Sequence, residues 1–227
     1  MKRLIVLYVL ILGFYSLYGQ SGQDLLIQVR SNLDKVRDYE ATGKLKTNVV
    51  FLKTPIATIK VYYKKPDKLR IVNEKGISFV PKGSVNINLN NFLANAESFE
   101  VIDAGKEATG LRVLKLLPLE ENSEIVLSTL YIDENLKVIR KARNTTRDNG
   151  TYELELFYGN HVSFGLPDKI IFSFNTKEYK LPKGVTFDYD TGVKKKEDDS
   201  LKNKKGKIEI TYTDYKINKG VSDAVFK

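Results

Sequence analysis

The chain contains no cysteine and no tryptophan, a single methionine and a single histidine. Without cysteine it can form no disulfide, and it has no thiol to carry a lipid anchor behind an export signal. Nucleophilic catalysis usually needs a base beside the nucleophile, and His161 is the only imidazole. Metal sites built from cysteine and histidine clusters find no support either. These absences favour a binding protein over an enzyme and predict neither a cofactor nor a metal.

The N-terminal segment lacks an apolar run long enough for a membrane-spanning helix. Lys2 and Arg3 precede an apolar stretch at residues 4–12, which is shorter than the roughly 20 residues that a spanning helix needs. A charged start, a short apolar centre and small residues at the end are typical of a secretory signal peptide. We expect a signal peptide at residues 1–19 and a single domain at residues 20–227, exported to the periplasm; an uncleaved anchor is the alternative.

The chain has fewer acidic residues than basic ones, 28 against 37. The formal charge is +9, and removal of Lys2 and Arg3 with the signal peptide would lower it to +7. Nucleic acid is a poor partner for an exported protein, so a basic surface favours anionic lipid headgroups or an acidic protein partner. Solubility alone is the other explanation. Residues 193–207 are charged and almost free of apolar side chains, which predicts a long loop.

Hydrophobic periodicity predicts a mainly β fold with few helices (α+β). Residues 24–37 carry apolar side chains at helical spacing. Residues 124–174 predict four consecutive strands, because turn residues separate runs that alternate with a period of two. Further strands are predicted near residues 39–51, 58–63, 69–71, 77–79, 99–103, 111–117 and 207–215. Pro66 is expected at a strand junction, and residues 90–98 predict a weak helix.

Aromatic residues are abundant, with thirteen tyrosines and eleven phenylalanines. One sheet with a single helix would leave apolar area uncovered, so a concave sheet of this kind needs helices or a ligand over it. Most of these rings could equally form an ordinary core, and the composition does not separate the two roles.

Several segments together resemble the outer-membrane lipoprotein carriers, the LolA-like periplasmic chaperones. Residues 24–46 are similar to that family's opening helix and first strand, and VYYKKPDKLRI to a strand that ends in a basic residue and proline. The hairpins at residues 130–159, the strand LPDKIIFSF and the tail at residues 212–227 continue the resemblance. It spans nearly the whole chain after the signal peptide.

The resemblance implies an unclosed antiparallel β-barrel whose concave apolar face is covered by helices and holds acyl chains. It also implies a carrier, expected as a monomer, that takes lipoproteins or lipids from an inner-membrane exporter to an outer-membrane acceptor. Lys65 stands where the family has an arginine that latches the lid, and Arg70 is a substitute. Residues 193–207 resemble an insertion.

Strand faces and the resemblance together predict an acyl-chain lining. Its expected members are Leu45, Val49, Phe51, Ile59, Val61, Tyr63, Leu69, Ile71, Leu154, Leu156, Phe172 and Phe174. Two other functions remain open at this point: a periplasmic sensor or regulator that binds lipid on the same scaffold, and a structural envelope protein without a ligand. A hydrolase is disfavoured by the missing pair of nucleophile and base.

Overall fold

A computed structural model of the protein describes residues 21–49, 52–53, 56–75, 98–148, 150–175 and 205–227. Within them one α-helix, α1, spans Gly22–Asp34, and the strands form a single eleven-stranded sheet. The strands are β1 Asp38–Val49, β2 Leu52–Lys53, β3 Ala57–Lys64, β4 Lys68–Lys75, β5 Phe99–Lys106, β6 Arg112–Pro118, β7 Ile125–Asp133, β8 Val138–Thr146, β9 Thr151–Phe157, β10 Lys169–Asn175 and β11 Lys205–Ile217. Two short 3₁₀ turns lie at Val162–Phe164 and Asp223–Phe226.

The helix predicted at residues 24–37 is present, but it begins and ends earlier. Ser21 caps it, because the Ser21 hydroxyl accepts a hydrogen bond from the Asp24 amide at 3.1 Å. At the other end the amide of Arg37 donates to the side-chain oxygen of Asn218 at 2.7 Å. That bond takes the place of a helical one, so the chain leaves α1 after Asp34 and enters β1.

The sheet is antiparallel and open. Its strand order is β4-β3-β1-β11-β10-β9-β8-β7-β6-β5, with β2 paired to β1. In the described residues β4 and β5 are the two edges and do not pair with each other, so the sheet is not closed into a barrel. The expected fold, an unclosed antiparallel β-barrel with a concave apolar face, is confirmed.

The four strands predicted between residues 124 and 174 are β7 to β10, each paired with the next. The Asp133 carboxylate accepts from the amides of Asn135 and Leu136, both at 3.1 Å, which closes the first turn as an Asx turn. Gly150 ends the second turn with φ 72°, a value that favours glycine. Pro66 lies in the β3–β4 turn, as expected.

The end of the charged segment was predicted wrongly. Residues 193–207 were expected to be a loop, but Lys205 to Lys207 belong to β11, which also runs on to Ile217. Lys207 pairs with Ser173 and Asn48 in the two neighbouring strands, because main-chain hydrogen bonds order the backbone whatever the charge of an outward side chain. Residues 193–204, the strand predicted at 77–79 and residues 90–97 of the predicted helix lie outside the described residues.

A β-bulge in β11 changes the phase of the strand. Thr42 of β1 pairs with Asp214, and Gly43 pairs with Tyr212, so Thr213 is an extra residue. Side chains normally alternate between faces, but an extra residue resets the alternation. Tyr212 and Tyr215 therefore both pack against the core.

The two ends of the sheet have different connections. We name one the α1 end, marked by the turns at residues 65–67 and 134–137, and the other the far end. β4 leaves the sheet at Lys75 and β5 begins at Phe99; β10 leaves at Asn175 and β11 begins at Lys205. The register places all four positions at the far end, so both long connections join the sheet there.

Replacement of Gly43 by alanine should destabilise the protein. A Cβ atom at Gly43 would lie 2.7 Å from the carbonyl oxygen of Thr211, so the backbones of β1 and β11 would have to separate beside the bulge. We expect Gly43→Ala to lower the free energy of unfolding by about 1–3 kcal/mol, measured by urea denaturation. Lys44→Ala, at the exposed next position, is the control; equal midpoints for the two variants would contradict the close approach.

Candidate functional site: the concave apolar face

The concave face of the sheet is apolar. Eight of the predicted lining residues are buried there: Leu45, Ile59, Val61, Tyr63, Leu154, Leu156, Phe172 and Phe174. Leu69 and Ile71 of the edge strand β4 are half-buried and pack against the same core. The backbone of Val49 lies in β1, but its side chain and the whole of Phe51 are outside the described residues. The structure thus brings ten of the twelve residues to one surface, while their role in binding stays a prediction.

Helix α1 bridges the two edges of the open sheet. Its buried side chains are Leu25, Leu26, Val29 and Leu33. At its start, a Cβ atom added to Gly22 would lie 2.9 Å from a methyl carbon of Leu114 and 3.4 Å from Val101, so α1 touches the β5–β6 edge closely. At its end it reaches the β3–β4 turn. One helix therefore spans the gap that the strands leave open.

Lys65 makes the contact at the C-terminal end of α1. Its ammonium group lies 2.9 Å from both the carbonyl oxygen and the side-chain carboxylate of Asp34. A cation is favoured at a helix C-terminus, where carbonyl groups lack helical partners. Both side chains are partly exposed, at 36% and 53%, so the contact is reversible rather than a fixed core interaction. The residue predicted as a latch thus lies against the helix.

Further polar contacts hold the last turn of α1. The Asn32 amide group donates to the carbonyl oxygen of Lys137 at 3.2 Å, and the ammonium group of Lys35 lies 3.0 Å from the carbonyl oxygen of Ser163. These bonds tie α1 to the β7–β8 turn and to the β9–β10 loop. The helix end is therefore held mostly by exposed polar contacts, whereas its face is held by apolar burial.

Arg70, the other predicted latch residue, lies on the opposite face. It alternates with Leu69 and Ile71 in β4 and is exposed. Its guanidinium group donates to the carbonyl oxygens of Val225 and Lys227. Arg70 therefore holds the C-terminal segment in this structure, and its assignment to a lid stays a prediction.

A cluster of aromatic rings lies towards the α1 end of the concave face. The ring centroids of Tyr39 and Tyr63 are 5.3 Å apart, those of Tyr39 and Tyr215 are 5.5 Å apart, and those of Tyr212 and Tyr215 are 5.0 Å apart. Burial raises the pKa of Tyr39, Tyr212 and Tyr215 above the usual tyrosine value. The cluster therefore stays uncharged at neutral pH and adds to the apolar surface.

A second aromatic group lies towards the far end. Phe172 stacks with Tyr152 at 5.3 Å and with Phe174 at 5.4 Å between centroids. Phe174 pairs with Gly206 across the ladder, and a Cβ atom at Gly206 would lie 2.5 Å from its ring. The absence of a side chain at Gly206 therefore lets the ring lie over the backbone of β11.

A polar patch interrupts the apolar face at β7 and β8. Ser128 and Asn144, neighbours across β7 and β8, are buried, and the Ser128 hydroxyl donates to the side-chain oxygen of Asn144 at 2.5 Å. Tyr152 faces Asn144 from β9. Burial raises the pKa of Tyr152 to about 12, against the opposing effect of its hydrogen bond with Asn144. The polar atoms satisfy one another, as buried polar groups require.

The described part of the concave face is closely packed. A cavity of about 10 Å³, room for about one water molecule, lies under the second half of α1. It is lined by Val29, Leu33, Lys137, Val138, Ile139, Tyr158 and Gly165. A lipid chain is far larger than this space, so it could not enter this cavity without displacing side chains or α1.

The described residues hold no cluster of acidic, histidine or cysteine side chains suited to a metal, and no helix long and apolar enough to cross a membrane. His161 lies in the β9–β10 loop, 3.7 Å from the carboxylate of Asp168, and its ring centroid is 5.0 Å from that of Tyr215. A separation of 3.7 Å is too long for a hydrogen bond. These contacts pack the loop against β11.

Several residues of the concave face were not predicted from the sequence. Tyr215 and Ile217 face inward because of the bulge at Thr213, which breaks the alternation by which faces are recognised. The other residues belong to strands that the alternation predicted, but their inward side chains were not assigned to the concave face. They are Leu114, Leu116, Leu130, Ile132, Ala142 and Ile170.

Comparison with known proteins identifies the fold. No protein-family model matches the sequence, and no curated protein matches it. Solved structures match well: a domain from Vibrio parahaemolyticus described as an outer-membrane lipoprotein-sorting protein superposes with a TM-score of 0.61 at 10% identity, covering 90% of this chain and 95% of that one. The chain therefore shares the fold of this lipoprotein-sorting domain.

Two further structures support the same fold. A DUF1329 family protein from Desulfovibrio piger has a TM-score of 0.55 at 12% identity, with 91% of this chain and 95% of that chain covered. A LolA superfamily protein from Nitrosomonas europaea has a TM-score of 0.52 at 11% identity, with 92% and 98% covered. The LolA-like resemblance read from the sequence is thus confirmed at the level of the fold.

Loss of the Lys65 ammonium group should loosen the end of α1. We expect Lys65→Ala to raise amide hydrogen exchange in the last turn of the helix by about two- to fivefold, because a partly exposed ion pair and helix-end contact contribute up to about 1 kcal/mol. Hydrogen exchange followed by mass spectrometry measures the change. Lys115→Ala on the outer face of β6 is the control, and equal exchange in both variants would show that Lys65 does not hold the helix.

Proposed function

We propose that this protein is a periplasmic carrier that binds the acyl chains of lipoproteins or other lipids and ferries them from the inner to the outer membrane. The observation that carries the proposal is the largely apolar concave face of an open sheet, which helix α1 bridges. A closed barrel could not open for a long ligand without breaking strand pairs. In an open sheet, movement of α1 would expose part of the inner face without breaking strand pairs.

The free energy that moving α1 would cost is comparable to the free energy that burying an acyl chain would yield. Exposing the four buried apolar side chains of α1 would cost about 6–12 kcal/mol, at about 1.5–3 kcal/mol for each. Burying an acyl chain of ~16 methylene groups yields about 13 kcal/mol, at about 0.8 kcal/mol for each. One or two acyl chains could therefore replace the helix on the sheet. A better acceptor could then remove them without an energy source.

The Lys65 contact fits a latch in this scheme. It joins the helix end to the β3–β4 turn through exposed charges, so it can break and re-form without exposing apolar surface. Lysine binds here as a point charge and lacks the planar fork of arginine. Arg70 could serve as a latch only after releasing the carbonyl oxygens of Val225 and Lys227.

The remaining parts of the proposal rest on the sequence and on the fold. A signal peptide at residues 1–19 would direct the single domain at residues 20–227 to the periplasm. There it would act as a monomeric binding protein rather than as an enzyme, receiving cargo from an inner-membrane exporter and passing it to an outer-membrane acceptor. The fold shared with lipoprotein-sorting proteins supports this assignment.

Native mass spectrometry of the mature protein, purified from a periplasmic extract without detergent, tests the proposal. A bound acylated peptide or lipoprotein, identified after denaturation and extraction, is the expected result. Phospholipid or glycolipid instead would shift the function towards lipid transport or a lipid-binding sensor. A ligand-free mass, together with failure to take up a triacylated peptide, would overturn the carrier and leave a structural envelope protein.

Two neighbouring residues of β4 offer a matched pair of variants. Ile71 and Val72 are both half-buried, but Ile71 packs against the core from the concave face whereas Val72 faces outward. We expect Ile71→Asn to weaken binding of a fluorescent fatty acid by about tenfold, because an apolar contact worth about 1–2 kcal/mol is lost. Val72→Asn should leave the dissociation constant unchanged; an equal loss in both variants would contradict binding on the concave face.

A further inference from the structure

The outer face of the β3–β4 hairpin carries a dense group of cations. Lys64 lies directly opposite Lys68 in the ladder, and Arg70 follows on the same face opposite Tyr62. Like charges placed directly opposite each other in a sheet repel and destabilise it. This surface therefore needs an anion between the two lysines.

The chain provides that anion from its own C-terminal segment. The carboxylate of Asp223 lies 2.9 Å from the ammonium groups of both Lys64 and Lys68. Hydrogen bonds from Lys68 and Lys64 lower the pKa of Asp223 to about 2. The Asp223 carboxylate thus remains charged at any physiological pH, and pH does not release it.

We name residues 218–227 the C-terminal strap. The strap leaves β11 through left-handed conformations at Asn218, with φ 57°, and Gly220, with φ 87°. It binds the hairpin by three kinds of contact. The Asp223 carboxylate contacts the two lysines, and Arg70 donates to the main-chain oxygens of Val225 and Lys227. The Phe226 ring lies 6.0 Å from the Lys68 ammonium group.

The strap is held loosely enough to be replaced. The side chains of Lys64, Lys68 and Asp223 are 34%, 46% and 58% exposed, and ion pairs of this exposure are weak and exchange with solvent. The described residues of the strap include no buried side chain. A segment that offers the same groups from another molecule can therefore compete for the site.

We propose that the outer face of the β3–β4 hairpin is a docking surface for an aspartate-bearing turn of a partner protein, and that the C-terminal strap is its intramolecular competitor. The strap shows the chemistry of the partner: a carboxylate that bridges two lysines, then main-chain carbonyls for Arg70 and an aromatic ring for Lys68.

The docking surface lies beside the turn that contacts helix α1. Lys64 and Lys68 flank the turn that contains Lys65, which holds Asp34 at the end of α1. A partner segment on the lysines would act on the same turn that contacts the helix. The proposal stands without the carrier function, since it concerns the outer face and needs no bound lipid.

The test uses a fluorescein-labelled peptide with the sequence of residues 217–227 and the full mature chain. In the variant Asp223→Asn/Phe226→Ala the strap loses its carboxylate and ring, so the site is open to the peptide. We expect fluorescence anisotropy at low salt to show about tenfold tighter binding to this variant than to the wild-type chain. Adding Arg70→Ala, or using a peptide with asparagine at the aspartate position, should abolish binding.

Three results would overturn the proposal. They are absence of peptide binding to the open variant, equal binding of the aspartate and asparagine peptides, and binding of the open variant to phosphatidylglycerol vesicles but not to the peptide. Circular dichroism checks that the variant is folded. Hydrogen exchange of Arg70→Ala in an otherwise wild-type chain is an independent measurement, since faster exchange in residues 222–227 is expected and unchanged exchange would contradict the strap contact.

Discussion

The structure depends on one constraint, the placement of helix α1 across the gap of an open sheet. Each strand pairs with its neighbour from one edge to the other, with β11 between β1 and β10, but the two edges do not pair in the described residues. An apolar inner surface cannot stay exposed to water. Helix α1 covers apolar surface, because it packs Leu25, Leu26, Val29 and Leu33 inward. It also connects the two unpaired edges, because its ends touch the β5–β6 edge and the β3–β4 turn.

The β3–β4 hairpin connects the two sides of the sheet. Its inner residues, Tyr63 and Leu69, belong to the apolar core, its turn residue Lys65 contacts α1, and its outer lysines hold Asp223. These contacts lie within a few residues of each other along the chain. The outer face of the hairpin and helix α1 are therefore connected by one short turn of the chain.

Local sequence patterns were sufficient to predict most of the fold. Alternation located β7 to β10 and the inward side chains of Leu154, Leu156, Phe172 and Phe174, because each strand buries only one face. The helix was recognised from its apolar spacing, but its end was misjudged since Asn218 takes the Arg37 amide. That partner is distant in sequence, and no local signal indicates it.

The misjudged end of the charged segment has the same origin. Charge alone placed Lys205 to Lys207 in a loop, although pairing with β10 orders their backbone. Arg70 was named as a substitute latch; strand alternation puts it on the outer face, and its role in a latch stays a prediction. Contacts between distant segments decide such cases, and a single sequence does not contain them.

The extra residue at Thr213 has a consequence for the comparison of distant relatives. Before it, inward side chains of β11 fall on even-numbered positions such as Ile208 and Ile210, and after it on odd-numbered ones such as Tyr215. A relative without the bulge would carry its inward aromatic residues one position out of step. An alignment of this strand must therefore open a gap of one residue, or it will match core positions of one protein with surface positions of the other.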